Sequence, residues 1–434
     1  MDLSEFLFQP KRQVKDALPA VSLFSGAGLS DVGYDQSGFN FLAQSELDPN
    51  RATLCGMNFP QAVSVVGDLR DTWQTVVAKY KNRTSEQLCL LSVTPPCQGM
   101  SSSNPGRGKA SDSKFRDRRN RLLLEAIPVI TELEPRLVVA ENVTQALSEA
   151  IQVGDRLRKV VEAFSEELKN YHLFAGIVQM ADYGIPQLRK RSILVAVRRD
   201  APWLPQLLDR NLLPWPRPTH AERPVDSLLP WVSLETWLNK MSYPSLDAQS
   251  KETAHDVIDP LHFVPVYEGD RYLWVADVPP HSGRNAYQNS NCRSCGRQDV
   301  PEGMALCPFC GKPMRNRPYV RENGTYRLIK GFDSSYRRMP PSRPAPTVTT
   351  ASSHLGSDYR IHPWENRVLS IRECADLQTV PRFYSWDWAV STRHTYLARQ
   401  VIGEALPPWF SYLHGEILRA LLSNHVPVGE LAHS

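Results

Sequence analysis

Three short apolar stretches in the first seventy residues each end in residues suited to hold a polar ligand, and this succession constrains the fold most. Residues 20 to 34, AVSLFSGAGLSDVGY, run from a strand through a Gly-rich turn into a helix starting at Leu29. Gly26 and Gly28 let backbone amides approach a ligand at that helix N-terminus, whose partial positive charge favours a carboxylate or phosphate. The next strand, FNFLAQSE, ends in Glu46, and the following one, SVVGD, ends in Asp68. Strands alternating with helices predict an α/β fold with a mostly parallel sheet, whose strand C-termini share the edge where ligands bind. No GKS or GKT follows the glycines, which argues against a triphosphate, and the turn departs from GxGxxG, which disfavours a dinucleotide. A ligand carrying adenosine and an amino-acid carboxylate fits, with Glu46 placed to accept from ribose hydroxyls. S-adenosylmethionine is the candidate.

A fourth apolar strand leads into LSVTPPCQGMSSSN and delivers Cys97 behind Pro95 and Pro96, which stiffen the backbone there. Taken alone, Cys97 reads more readily as a buried structural thiol than as a nucleophile. The segment after it, NPGRGKASDSKFRDRRNR, carries seven Lys or Arg against two Asp, as a lid over a polyanion would. An amphipathic helix is expected from 120 to 132. The strand RLVVA then ends in Glu141 and Asn142, where burial would raise the Glu141 pKa and keep it protonated; capping a helix near Thr144 is the plainer role. A long helix is expected over 155 to 170, followed by two antiparallel edge strands, YHLFAGIVQM and SILVAVRR. Gln187, Arg189 and Arg191 alternate before the second of these and are expected to share one face.

Most of the 35 prolines lie after residue 200, which marks a loop-rich second region. Within it Cys292, Cys295, Cys307 and Cys310 form C-x2-C-x11-C-x2-C with a glycine after each pair, the pattern of a structural zinc ribbon; a redox CxxC pair is the alternative. The ribbon is expected to supply folding free energy, and Arg293, Arg297, Lys312, Arg315 and Arg317 around it suggest phosphate contacts or base reading. Net charge is only +4, so composition alone does not argue for nucleic acid. No run of eighteen apolar residues and no signal-peptide core appears, so no membrane association is expected and a cytoplasmic location is the expectation. The last helix, from about Pro408 to Ser423, is expected to face the core through Leu413, Ile417, Ala420 and Leu421.

These motifs, in this order, resemble the DNA cytosine carbon-5 methyltransferase family. The match runs through FSGAGLSDVGY, Glu46, GDL at 67 to 69, TPPCQGMS, ENV at 141 to 143, QLRKR at 187 to 191, SYRRMPPSRPAPTVTT at 335 to 350, HPWENRVLSIRECADLQTVP at 362 to 381 and QVIGEALPPW at 400 to 409. The resemblance implies a Rossmann-like methyltransferase domain in two pieces, 1 to 200 and 367 to 434. A target-recognition domain, 201 to 366, would lie between them and carry the zinc ribbon at 291 to 313. It implies that the Cys97 thiolate adds to carbon-6 of a cytosine flipped out of double-stranded DNA, and that carbon-5 then takes the methyl of S-adenosylmethionine. Glu141, protonated, would hydrogen-bond the ring nitrogen, Arg191 would hold the base carbonyl, and Arg189 or Arg191 would favour the thiolate. Cofactor contacts carried over are Phe24, Ser25, Gly26, Gly28, Leu29, Glu46, Leu47, Asp68, Leu69, Pro96, Glu404 and Ala405. DNA contacts are Gln98, Ser101, Arg107, Lys109, Gln187, Arg337 and Arg338. Glu404 departs from the family, which has Asn there. A restriction endonuclease would be a functional rather than physical partner. A transfer-RNA cytosine methyltransferase and a catalytically silent DNA- or partner-binding paralogue are the competing readings.

Overall fold

The computed structural model describes residues 1–96, 118–153 and 156–433. A seven-stranded sheet is formed by β1 (Leu18–Leu23), β2 (Phe39–Glu46), β3 (Val63–Val66), β4 (Leu90–Val93), β5 (Leu137–Asn142), β6 (Tyr171–Gln179) and β7 (Lys190–Arg198). The strand order is β3-β2-β1-β4-β5-β7-β6, parallel from β3 to β5, with β7 antiparallel to both of its neighbours. The chain reverses between β1 and β4, and at that switch the glycine turn and the segment toward Cys97 leave adjacent strands.

Helices cover both faces, as the strand sequences require. Leu137 and Val139 join one hydrophobic cluster while Val138 and Ala140 join the other, and Ile193, Val195 and Val197 separate from Leu194 and Ala196 in the same way. Period-two alternation of apolar residues on both faces is the signature of a sheet buried on both sides. On one face lie α1 (Leu29–Ser37) and α2 (Pro49–Asn58); on the other lie α3 (Leu69–Lys81), α4 (Ile127–Leu133) and α5 (Val160–Glu167). From the C-terminal part of the chain come α6 (Ile371–Leu377), α7 (Thr395–Glu404) and α8 (Pro408–Leu422).

The last helix buries a broader face than the stripe expected. Trp409, Phe410, His414, Leu418 and Leu422 are buried along with Ile417 and Leu421, whereas Leu413 and Ala420 are only partly covered. It packs against α1 at backbone distance: a Cβ on Gly33 would stand 2.1 Å from the Pro408 carbonyl oxygen, and one on Gly415 2.0 Å from Ser37 Oγ. These two glycines fix the crossing, and so bring the end of the chain to the glycine turn.

Two expected helices are shorter than their sequence pattern suggests. Arg118–Ala126 is 3-10 helix and regular α-helix begins at Ile127, where Pro128 occupies the first turn and needs no amide partner. Ahead of α5, Ala150–Val153 and Arg156–Lys159 pair as an antiparallel hairpin instead of extending the helix back to 155. The sequence signal for it is the Gly154-Asp155 dipeptide between two alternating stretches.

Trp203, Leu207, Leu212, Trp215 and Trp237 belong to the sheet-domain core, so the expected boundary at 201 falls inside that core. Leu212–Pro216 also pairs with Leu431–His433. A separate cluster gathers residues from Leu246 to Val368, and a small fourth one holds Cys292, Val300, Cys307 and Met314. Among the described residues, no helix is long and apolar enough to cross a membrane.

Candidate active site

The glycine turn is held by its own partners. Gly26 donates its N–H to Glu46 Oε2 at 2.9 Å, Asp48 donates to Glu46 Oε1 at 3.0 Å, and Gly28 donates to the Ser25 carbonyl at 2.8 Å. The two glycine amides expected to face a ligand are therefore spent on the turn. Phe24, Gly26 and Gly28 all have positive φ. A Cβ on Gly28 would meet the Phe59 ring at 2.5 Å, whereas one on Gly26 would meet nothing within 4 Å. Gly28 thus serves packing beneath the turn, and Gly26 borders open space above it.

Around that space Leu47 is 65% exposed at the end of β2, beside the half-buried Glu46 carboxylate. Leu29 and Leu69 are buried in the core, so they can offer a ligand only backbone. Ser25 is buried with its hydroxyl on the Ser45 carbonyl, and Pro96 is exposed. Asp68 caps α3 and is held below the ordinary aspartate range by hydrogen bonds from the Arg70 side chain, the strongest influence on it. From the far end of the chain, Glu404 forms a bidentate pair with Arg51, and the Ala405 carbonyl accepts from Arg189 at 2.7 Å.

Sequence reading did not single out Asp31, which lies buried beneath this turn. It accepts from Ser22 on β1 at 3.1 Å and from Gln44 on β2 at 3.0 Å, and burial pushes its pKa up to about 7. Its spacing of three residues from Gly28 puts it on the inner face of α1, a signal that helical periodicity contained.

A second group of residues converges beyond β4. Glu141 is buried near the end of β5, opposite Ile193 of β7, and Arg191 Nε stands 2.8 Å from its Oε1. Burial raises the Glu141 pKa above the ordinary glutamate range, and Arg191 and then Arg189 oppose the rise. Asn142 donates to the Pro95 carbonyl at 3.1 Å, and the Thr94 hydroxyl donates to the Phe24 carbonyl at 3.0 Å. The stiff segment Thr94–Pro95 therefore runs between the glycine turn and the end of β5, heading toward position 97. Cys97 itself, with Gln98, Ser101, Arg107 and Lys109, lies outside the described residues.

Comparison with known proteins decides what this edge belongs to. The model of the C-5 cytosine-specific DNA methylase family matches residues 18–416. The chain belongs to that family. It therefore uses S-adenosylmethionine to methylate carbon-5 of cytosine in DNA. Among relatives, it is 28% identical over 407 residues to the Type II methyltransferase M1.HgaI of Avibacterium volantium, covering 91% of this chain and 96% of that one. It is 26% identical over 417 residues to M.XorII of Xanthomonas oryzae, covering 92% and 84%. The fold is shared with an E. coli crystal structure described as a putative DNA modification methyltransferase encoded within a prophage, at TM-score 0.54 and 19% identity, covering 94% of this chain and 100% of that one.

In this methylase the arginines of QLRKR divide. Arg191 meets Glu141, but Arg189 is buried and donates to the carbonyls of Val348, Gly403, Glu404 and Ala405 at 2.7 to 3.1 Å. It holds two distant segments together and does not present its guanidinium to a substrate. Gln187 is buried as well: it donates to the Leu377 carbonyl at 3.1 Å and accepts from the Val348 N–H at 3.0 Å, so it is no DNA contact. The residues expected to share one face thus serve two purposes, because 187–188 pairs with 345–346 while Arg191 already lies in β7.

Arg338 is corrected in the same way. Its guanidinium is buried, donates to the carbonyls of Val278, His362, Glu365 and Val275, and has its pKa pushed down to about 10 by burial. It cannot reach a phosphate. Arg337 is half-buried and bound to Asp333 and the Gly283 carbonyl. Around the cysteines, Arg317 is buried against the carbonyls of Asn289, Val300, Pro301 and Met304. Arg293 pairs with Asp277, Arg297 with Asp299 and Arg315 with Asp270, so these cations are largely spent within the unit.

The four cysteines themselves converge, with all Sγ atoms within 4.8 Å of one another. Cys292 and Cys310 sulfurs lie 3.7 Å apart, and those of Cys295 and Cys307 lie 3.8 Å apart. Gly296 donates to the Cys292 carbonyl and Gly311 to the Cys307 carbonyl, each at positive φ. The two loops are therefore near-copies of one another.

Proposed function

We propose that this methylase works through a covalent cytosine adduct at Cys97. The observation that carries the reading is the buried Glu141–Arg191 pair at the sheet edge, beside the segment that leads through Pro95 and Pro96 to Cys97. The Cys97 thiolate would add to carbon-6 of a flipped-out cytosine, which makes carbon-5 nucleophilic. Glu141, whose pKa burial raises, would donate in its protonated form to the ring nitrogen and pull electron density from carbon-6; Arg191 would hold the base carbonyl oxygen. Loss of the carbon-5 proton then expels the thiolate. The segment after Cys97, with its seven cations, would close over the DNA.

The residues around Gly26 suit S-adenosylmethionine: open space above a positive-φ turn at a helix N-terminus, a carboxylate at Glu46 for ribose hydroxyls, and the exposed Leu47 for an adenine face. Bound there, the cofactor supplies an electrophilic methyl group. Phe24, Asp68, Pro96, Glu404 and Ala405 would complete the rim, and Ser25, Gly28, Leu29 and Leu69 would support it from below.

The four-cysteine cluster suits one structural zinc. Four thiolates about 2.3 Å from a tetrahedral zinc stand about 3.8 Å apart, in line with the sulfur spacings. The unit from Leu246 to Val368 would recognise the target sequence, braced by this ribbon. Both relatives described above are named Type II methyltransferases, which supports a role in restriction-modification beside a separate endonuclease.

Transfer of labelled methyl from S-adenosylmethionine tests the reading. Duplex DNA should be labelled and transfer RNA should not, and bisulfite sequencing of DNA from expressing cells should reveal one recurrent sequence. Labelling of transfer RNA alone, or of neither, would overturn it.

A further inference from the structure

The C-terminal segment Gly403 to Leu406 reaches the cofactor edge from the opposite end of the chain. Leu406 donates its N–H to Ser30 Oγ at 3.1 Å in the first turn of α1, which follows the glycine turn directly. Two residues earlier, the Glu404 carboxylate takes both terminal nitrogens of Arg51, at 2.5 and 3.1 Å. Arg51 lies in the first turn of α2, just past Glu46. Glu46 is engaged by the Gly26 and Asp48 amides, and Asp48 caps α2 by accepting from the Asn50 and Arg51 amides. Of these three nearby carboxylates, Glu404 is the one that closes on the guanidinium.

The pair is only 17% and 33% exposed, and its fork geometry fixes both side chains in one orientation. Behind it, Arg189 holds the carbonyls of Gly403, Glu404 and Ala405. An unbroken chain of contacts therefore runs from Gly26 through Glu46, Asp48, Arg51 and Glu404 to Arg189. Its two ends are the cofactor turn and the strand start that also carries Arg191.

We propose that Arg51 and Glu404 form a clasp that joins the two ends of the chain across the glycine turn and positions the rim of the cofactor site. Both are positioning residues. The proposal rests on the cofactor reading above. Removal of either partner leaves one uncompensated charge beside a ligand whose amino acid carries both signs, and frees the 403–406 segment from α2. Cofactor affinity should therefore depend on the pair more than DNA affinity does.

The test uses the full chain with Arg51→Glu, Glu404→Arg and the double reversal. Calorimetry with S-adenosylhomocysteine and steady-state methyl transfer supply the readouts, and thermal unfolding without ligand reports the fold. Each single reversal is expected to weaken cofactor binding and raise its KM about tenfold, with the KM for DNA within about twofold of the parent. The double reversal should recover affinity to within about threefold. Where a reversal fails to fold, Glu404→Gln, isosteric and uncharged, should still cost about threefold in cofactor affinity. Single reversals that bind cofactor like the parent, or a double reversal no better than the singles, would overturn the clasp. A parent protein that binds no cofactor would instead sink the cofactor reading, and the clasp with it.

Discussion

At the sheet edge, Arg191 brings Nε to one carboxylate, Glu141, and spends one terminal nitrogen on the Lys190 carbonyl; between Leu246 and Val368, the buried Arg317 and Arg338 spend nearly all their donors on backbone carbonyls. The backbone explains the difference. In the sheet, ladder hydrogen bonds satisfy most carbonyls, so Arg191 at a strand start gives one donor to Lys190 and keeps Nε for Glu141. The second unit has one short hairpin, Tyr319–Glu322 with Thr325–Leu328, and long stretches of irregular chain. Buried carbonyls there need donors, and a guanidinium offers five N–H groups in one plane. Arg189, at the junction of the two regions, follows the second rule. For Arg189, Arg317 and Arg338, unpaired backbone nearby thus decides the role, whereas Arg293, Arg297 and Arg315 of the same unit find carboxylates.

The sharpest way to break this comparison is at the chemical edge. Cys97→Ala should abolish methyl transfer while calorimetric cofactor binding persists. Glu141→Gln should lower turnover by about 10²- to 10⁴-fold with unchanged mobility shift of duplex DNA. A wild-type rate in either variant would remove the edge from the mechanism.

The loop-rich unit should respond through stability. Metal analysis is expected to find one zinc per chain, and Cys→Ser at Cys292 and Cys307 should expose the surrounding chain to limited proteolysis. Retention of protease resistance without metal would show that the loops hold themselves. Arg338→Ala should lower unfolding free energy by about 3 kcal/mol, since several buried carbonyls lose their donor. Arg337→Ala should cost under about 1 kcal/mol by the same denaturant titration. Weaker DNA binding by the Arg338 variant at unchanged stability would reverse the assignment.

A pH-dependent effect concerns Asp31. Burial raises its pKa to about 7, so below that pH the fold keeps a proton that the unfolded chain releases above the ordinary aspartate range. Its contribution is therefore full in acid and is lost as pH rises to about 7. Asp31→Asn, which cannot ionise, should lack that fall, a difference of at most a few kcal/mol between about pH 4 and 8 in denaturant midpoints. Parallel curves for the two proteins would contradict it.

What sequence could convey follows from the same contrast. Strand ends were legible because apolar alternation and the parallel layout put Glu46, Glu141 and the glycine turn on one edge whatever the details. Arg189, Gln187 and Arg338 were misplaced because residue type does not say whether a carbonyl waits nearby. Arg51 was missed for a related reason: its partner Glu404 lies 353 residues away, and no local pattern links them. The cysteine spacing needed no tertiary information, since two knuckles carry their own geometry.

The central claim is that Cys97 bonds to the cytosine that Glu141 and Arg191 hold. A duplex carrying 5-fluorocytosine in the recognised sequence cannot lose a proton from carbon-5, so the adduct should persist after methyl transfer. Mass spectrometry should then find protein, DNA and one methyl group joined through the peptide containing Cys97, and no such species with Cys97→Ala. Methylated product without any trapped adduct, or an adduct mapped to another residue, would contradict the account.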